Sequence, residues 1–130
     1  MRMLLALLLL ISCADGTPTE VRPQPLAESV WGDEQNTLTI LPNGGRFEGL
    51  CLAGAIDNVI VVDARGRFDA NGTLRRAGGP PREDDAPESV RYAGVISGDT
   101  MSLTIRRADN STVLEATLKR GIRGAARPCA

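Results

Sequence analysis

The side chains with most chemical capacity in this sequence are carboxylates, arginines and cysteines. The densest acidic group is Glu83-Asp84-Asp85, with Glu88 close behind. Carboxylate oxygens are hard ligands, so such a group could hold Ca2+ loosely. The simpler reading is a solvated loop that aids solubility, or a surface that meets a partner. Asp69-Ala70-Asn71-Gly72-Thr73 is a fragment of a calcium-loop pattern. It lacks the remaining ligands and the terminal Glu, so it reads as a turn. Asp and Glu together number 16, which makes some carboxylate pair inevitable in any fold. Acid pairs for glycoside hydrolysis are therefore not signalled. Gly44-Gly45 and Gly78-Gly79 are not followed by Gly-Lys-Ser/Thr, so neither is a phosphate loop. No metal site and no cofactor motif is read from these residues.

His is absent. That removes Ser-His-Asp triads, Cys-His dyads, His-metal sites and His pH switches. A catalytic thiol would also lack its usual base. The basic residues are all arginine except Lys119, and the net charge is -1. A near-neutral chain makes no general case for nucleic acid. Arg75-Arg76 and Arg106-Arg107 each place one guanidinium outward on a strand. They form either a basic strip or ordinary exposed strand faces. Trp31, one of four aromatic residues, reads as a core or barrel-plug residue, with a binding-surface contact as the alternative. Enzymatic activity is not expected.

The elements that must position these residues are strands. Of the 130 residues, 42% are hydrophobic, enough for one modest core. Thr37 to Ile40, Arg46 to Leu50, Thr100 to Ile105 and Thr112 to Arg120 alternate with period two. Met101, Leu103 and Ile105 share one face, and so do Leu114, Ala116 and Leu118. Pro42-Asn43-Gly44-Gly45, Asp63-Ala64-Arg65-Gly66, Asn71-Gly72, Ser97-Gly98-Asp99 and Ala108-Asp109-Asn110-Ser111 read as turns or bends. Such short spacing predicts an all-β fold: a small antiparallel meander closing into a barrel of six to eight strands. A β-sandwich is the alternative. Gly49, Gly54, Gly72 and Gly94 in or beside strands suggest the bends a curling sheet needs.

The N-terminus carries an address. Arg2 precedes an unbroken apolar run from Met3 to Ile11. A membrane-spanning helix needs roughly 20 apolar residues, so this run suits a secretory signal. Leu10-Ile11-Ser12-Cys13 resembles the bacterial lipoprotein lipobox. The resemblance implies cleavage before Cys13, a diacylglyceryl thioether on its sulfur, and attachment to the membrane through the lipid anchor. Two or three acyl chains anchor stably, at about 0.8 kcal/mol per buried CH2. The domains are then 1–12 signal peptide, 13–28 lipidated Cys and Pro-rich tether, and 29–130 barrel. The expected location is the bacterial cell envelope, on the periplasmic face of the outer membrane if the host is Gram-negative. In an exported protein the remaining pair, Cys51 and Cys129, reads as a disulfide. It would close a loop of about 79 residues, worth roughly 4–5 kcal/mol on a chain-entropy basis.

Trp31-Gly32-Asp33-Glu34, Asp63-Ala64-Arg65-Gly66-Arg67-Phe68-Asp69, Gly78-Gly79-Pro80 and Tyr92-Ala93-Gly94 carry a second resemblance, with Ser97-Gly98-Asp99-Thr100-Met101 and the closing Cys129. Together they resemble an uncharacterised group of lipocalin-like bacterial barrel proteins. Where that group commonly has His, this chain has Ala53 and Ala77. The resemblance implies a fold and no activity. The functional expectation is a non-catalytic binding or accessory module for a periplasmic or surface partner, possible forms including an inhibitor. Trp31 and the Glu83, Asp84, Asp85 loop are the candidate binding residues. A small-ligand carrier with an apolar barrel cavity is the alternative.

Overall fold

The period-two alternation resolves into ten strands in the computed structural model, which describes residues 23–80 and 86–125. They are β1 (Gln24–Pro25), β2 (Ser29–Gly32), β3 (Thr37–Leu41), β4 (Gly44–Gly49), β5 (Leu52–Ile56), β6 (Val61–Val62), β7 (Arg67–Arg76), β8 (Glu88–Ser97), β9 (Thr100–Arg107) and β10 (Thr112–Arg120). Eight of them form a closed barrel in the order β10-β2-β3-β4-β5-β7-β8-β9. All its pairings are antiparallel. The fold is thus the expected barrel and not a sandwich. β1 and β6 make a separate two-stranded ribbon.

Closure directs one face of every strand inward. Met101, Leu103 and Ile105 are buried, as are Leu38, Ile40, Leu74, Val90 and Leu118. All four aromatic side chains, Trp31, Phe47, Phe68 and Tyr92, lie in the same core. Glycines make room for the rings. A Cβ at Gly94 would run into the ring of Phe68, its cross-strand partner. A Cβ at Gly72 would stand 2.8 Å from the Tyr92 ring. This explains why Asn71-Gly72 is not a bend. β7 continues through it, paired on both sides with Ile56 and Val90, and Gly72 leaves room there for the Ala55 carbonyl and the Tyr92 ring.

Two short turns follow from residue type. Gly98, at φ +60°, is the first central residue of the two-residue β8–β9 turn, a position that favours glycine. Pro42-Asn43 alone joins β3 to β4, so Gly44 and Gly45, expected in the turn, begin β4.

The sequence reads the Pro-rich segment 13–28 as a tether, with an added edge strand as the alternative. Its last residues are instead part of the fold. Gln24 and Pro25 pair with Val62 and Val61, and the Leu26 N–H donates to the Ile60 carbonyl at 2.8 Å. Ile60 is buried, and Leu26 and Val62 pack on the core.

The barrel's seam is short. β2 ends at Gly32 because Asp33 closes the chain on itself. Its carboxylate accepts from the Gln35 N–H (2.8 Å), the Asn36 N–H (2.7 Å) and the Asn36 side-chain amide (3.0 Å). β10 therefore meets β2 only through Lys119 opposite Gly32 and Arg120 opposite Trp31. The Gly121 N–H adds one bond to the Val30 carbonyl, at 2.6 Å. At Gly121, φ is +80°, and the chain turns back over the outside of β2 and β3. The bare Gly32 lets the Ile122 carbonyl lie against it. The Gly124 N–H then donates to Thr37 Oγ1 (2.8 Å) and the Ala125 N–H to the Glu34 carbonyl (3.0 Å).

Candidate functional site

An antiparallel barrel sorts its connections between two ends. One end holds the β3–β4 turn, the β5–β7 link with the ribbon, the β8–β9 turn and both exits of the chain. The other end holds the β2–β3 loop (33–36), the β4–β5 turn (50–51), the β7–β8 connection (77–87) and the β9–β10 turn (108–111). Loops on a rigid scaffold are where binding residues gather. The second end, opposite the point where the chain enters, is the candidate interaction end.

Its described residues are mostly locked by local bonds. Burial opposes ionisation of Asp33, but the Asn36 amide and the N–H groups of Gln35 and Asn36 outweigh it and hold the carboxyl below the usual range. Asp109 is lowered by its bonds from Ser111. The Arg76 guanidinium donates to the Pro80 carbonyl at 2.7 Å, pinning the start of the long connection. Arg107 pairs with Glu88 at 2.9 Å and fixes its far end. Cys51 is disulfide-bonded and has φ +62°.

Trp31 is not a surface contact. It is fully buried, its indole N–H donates to Ser29 Oγ at 2.9 Å, and the Arg120 guanidinium lies 4.5 Å from its ring centroid. Arg120 in turn pairs with Asp99 at 3.2 Å. A large ring on the first barrel strand is drawn inside because that is where its area is removed from water. Glu83, Asp84 and Asp85 lie outside the described residues, as do Cys13 and Cys129.

The arginine pairs do not form one strip. Arg76 and Arg107 are taken up in the contacts above. Arg75 faces Arg46 across an open cleft of about 390 Å3 floored by Ala53 and Ala55. Arg106 and Arg67 border another of about 450 Å3, beside Val61 and Val95. Arg91 is held by Asp69 at 2.9 Å. Composition showed the arginines, but only strand register shows which of them share a cleft.

Among the described residues, Tyr92 is the titratable side chain in the buried core; it donates to the Thr73 carbonyl at 2.6 Å. Burial, and then the charge of Asp57, push its phenol well above the usual value, so it stays neutral. Among the described residues no three His, Cys, Asp or Glu side chains converge as a metal site would require.

One feature escaped the sequence pattern. Leu114 and Ala116 face inward, yet they are only partly buried, whereas Ile105 and Leu103 opposite them are 0% and 1% exposed. They lie where β10 has run past the end of β2.

Compared with known proteins, the chain matches no family model, and no curated protein or solved structure matches it significantly. What the site can do must be judged from its own geometry.

Proposed function

We propose that this chain is an envelope lipoprotein, acylated at Cys13, whose barrel is a non-catalytic binding or accessory module for a periplasmic or surface protein. Inhibition of an envelope enzyme is one form this would take. The carrying observation is the axial layout. The chain enters the barrel at one end, and β7 and β8 are joined at the other. From Cys13 a fully extended tether adds at most roughly 3.3–3.6 Å per residue, so acylation would keep the entry end of the barrel within a few tens of ångströms of the bilayer.

Cys129 is the proposed partner of Cys51. In support, the tail runs over β2 and β3 toward the loop end, where Ala125 bonds Glu34 and Cys51 occupies the neighbouring turn. The four further residues to Cys129 reach roughly 13 Å. The pairing would fasten a tail that is too rich in Gly, Ala and Arg to hold by packing.

A ligand carrier needs an empty interior. Here four aromatic rings and ten buried aliphatic side chains occupy it, which favours the module over the carrier.

The test compares acylated protein with a Cys13→Ser chain, and each with a variant in which Gly78–Glu88 is replaced by a short turn. Mass spectrometry should find the mature chain beginning at an acylated Cys13. Envelope proteins cross-linked to the acylated form should be lost with the loop. Retention of every cross-linked protein after loop removal would defeat the loop as the binding element. A mature chain with no acyl group would defeat the anchor.

A further inference from the structure

We propose that the seam edge of β10, at Glu115 and Thr117, is a strand-addition site for a short extended peptide segment of a protein partner. The proposal rests on the binding-module reading and names a surface for it.

The direction of the backbone groups follows from alternation. Gly121 donates directly across to Val30, so odd-numbered residues of β10 turn their N–H and C=O toward the seam. Even-numbered residues serve β9, as the Arg120 N–H bond to the Asp99 carbonyl confirms. Lys119 uses its seam side on Gly32. Below it, β2 has ended. Among the described residues no backbone bond reaches the seam groups of Glu115 or Thr117. Two consecutive odd residues thus offer two donors and two acceptors at the spacing of an antiparallel ladder.

Side chains support the same occupant. Leu114 and Ala116 point inward beyond the end of the β2 pairing and keep partial exposure. A residue laid opposite Ala116 would point the same way, and its apolar side chain would cover both. Glu115 and Thr117 point outward and are exposed. An open cleft of about 280 Å3 lies over the neighbouring β9–β10 pair, lined by Ser102, Thr104, Glu115 and Thr117, and leaves the outward side of Glu115 and Thr117 uncovered. The preferred segment therefore alternates apolar residues inward with basic residues outward against Glu115, since opposite charges paired across strands are favourable. A second copy of β10 fits poorly. Pairing Glu115 with its Thr117 would bring the copy's residue 113 against Lys119, where β2 already lies.

The test is residue-resolved amide exchange on the purified Cys13→Ser chain, with the acetylated, amidated peptide Val-Lys-Val-Lys-Val as probe. In the free chain, Glu115 and Thr117 should exchange at least tenfold faster than Leu114, Ala116 and Leu118. Saturating peptide should slow Glu115 and Thr117 at least tenfold. Glu115→Pro removes one seam donor without touching the β9 ladder and should abolish that protection. Glu115→Lys keeps every backbone group and should make Val-Glu-Val-Glu-Val the better probe by several-fold. Fast exchange does not depend on acylation, so failure here is distinct from failure of the anchor. Seam amides already as slow as their neighbours would overturn the proposal, as would no protection at saturating peptide. Concentration-dependent protection without peptide, with a dimer mass by light scattering, would overturn it in favour of pairing between copies.

Discussion

At the scale of single residues, the core is built on matched pairs of large and absent side chains. Gly94 and Phe68 are 26 positions apart in sequence and directly opposite across β7 and β8. Gly94→Ala forces the buried Phe68 ring to move and should destabilise by about 1–3 kcal/mol, the range for overpacking a filled core. Phe68→Leu alone should also destabilise. The double variant should be more stable than the sum of the two losses predicts, because the smaller side chain leaves room for the new methyl. Denaturant midpoints of the four proteins check this; strict additivity would show that the two positions do not share space. Inward alternation of Met101, Leu103 and Ile105 was legible in the sequence. The glycine–ring complementarity was not, because it depends on which residues register brings together.

At the scale of elements, Asp33 determines where β2 stops. Its carboxyl is held below the ordinary value, about 3.9, by the groups it binds. A depressed folded-state pKa stabilises the fold above the ordinary value, and that stability is lost as pH falls through the folded value. Asp33→Ala should therefore lower stability at pH 7 by about 1 kcal/mol. The gap between variant and parent should narrow below about pH 4. Denaturation midpoints measured from pH 7 down to pH 2.5 test this, and a gap independent of pH would refute the role of the charge. The strands β8, β9 and β10 and their tight turns were legible from alternation and turn residues. The shortness of the β2–β10 pairing was not. It arises because a four-residue strand is paired with one of nine residues, and the sequence does not show which strands become neighbours on closure.

At the scale of the whole molecule, Cys51 combines a cross-link with an uncommon backbone state. Its φ of +62° lies in the left-handed region, where a side chain costs roughly 1–2 kcal/mol that glycine avoids. Loss of the disulfide in Cys51→Ser should lower stability by about 2–5 kcal/mol. Cys51→Gly also loses the bond but relieves the backbone, so it should be more stable than the Ser variant by about 1 kcal/mol. Thermal unfolding of the three chains decides this; equal stability of Ser and Gly variants would remove the strain from the account. The overall barrel was foreseeable from patterning alone. The core position of Trp31 was legible as well; which loops gather at one end of the barrel was not, because that follows from strand order on closure.

The meeting of β2 with β10 has a consequence for biogenesis. The earliest and latest strands of the cylinder must touch before it shuts, and a contact this remote in sequence forms slowly. During synthesis the contact must wait until residues near 120 are available to β2, so whichever hairpins form first, the cylinder shuts last.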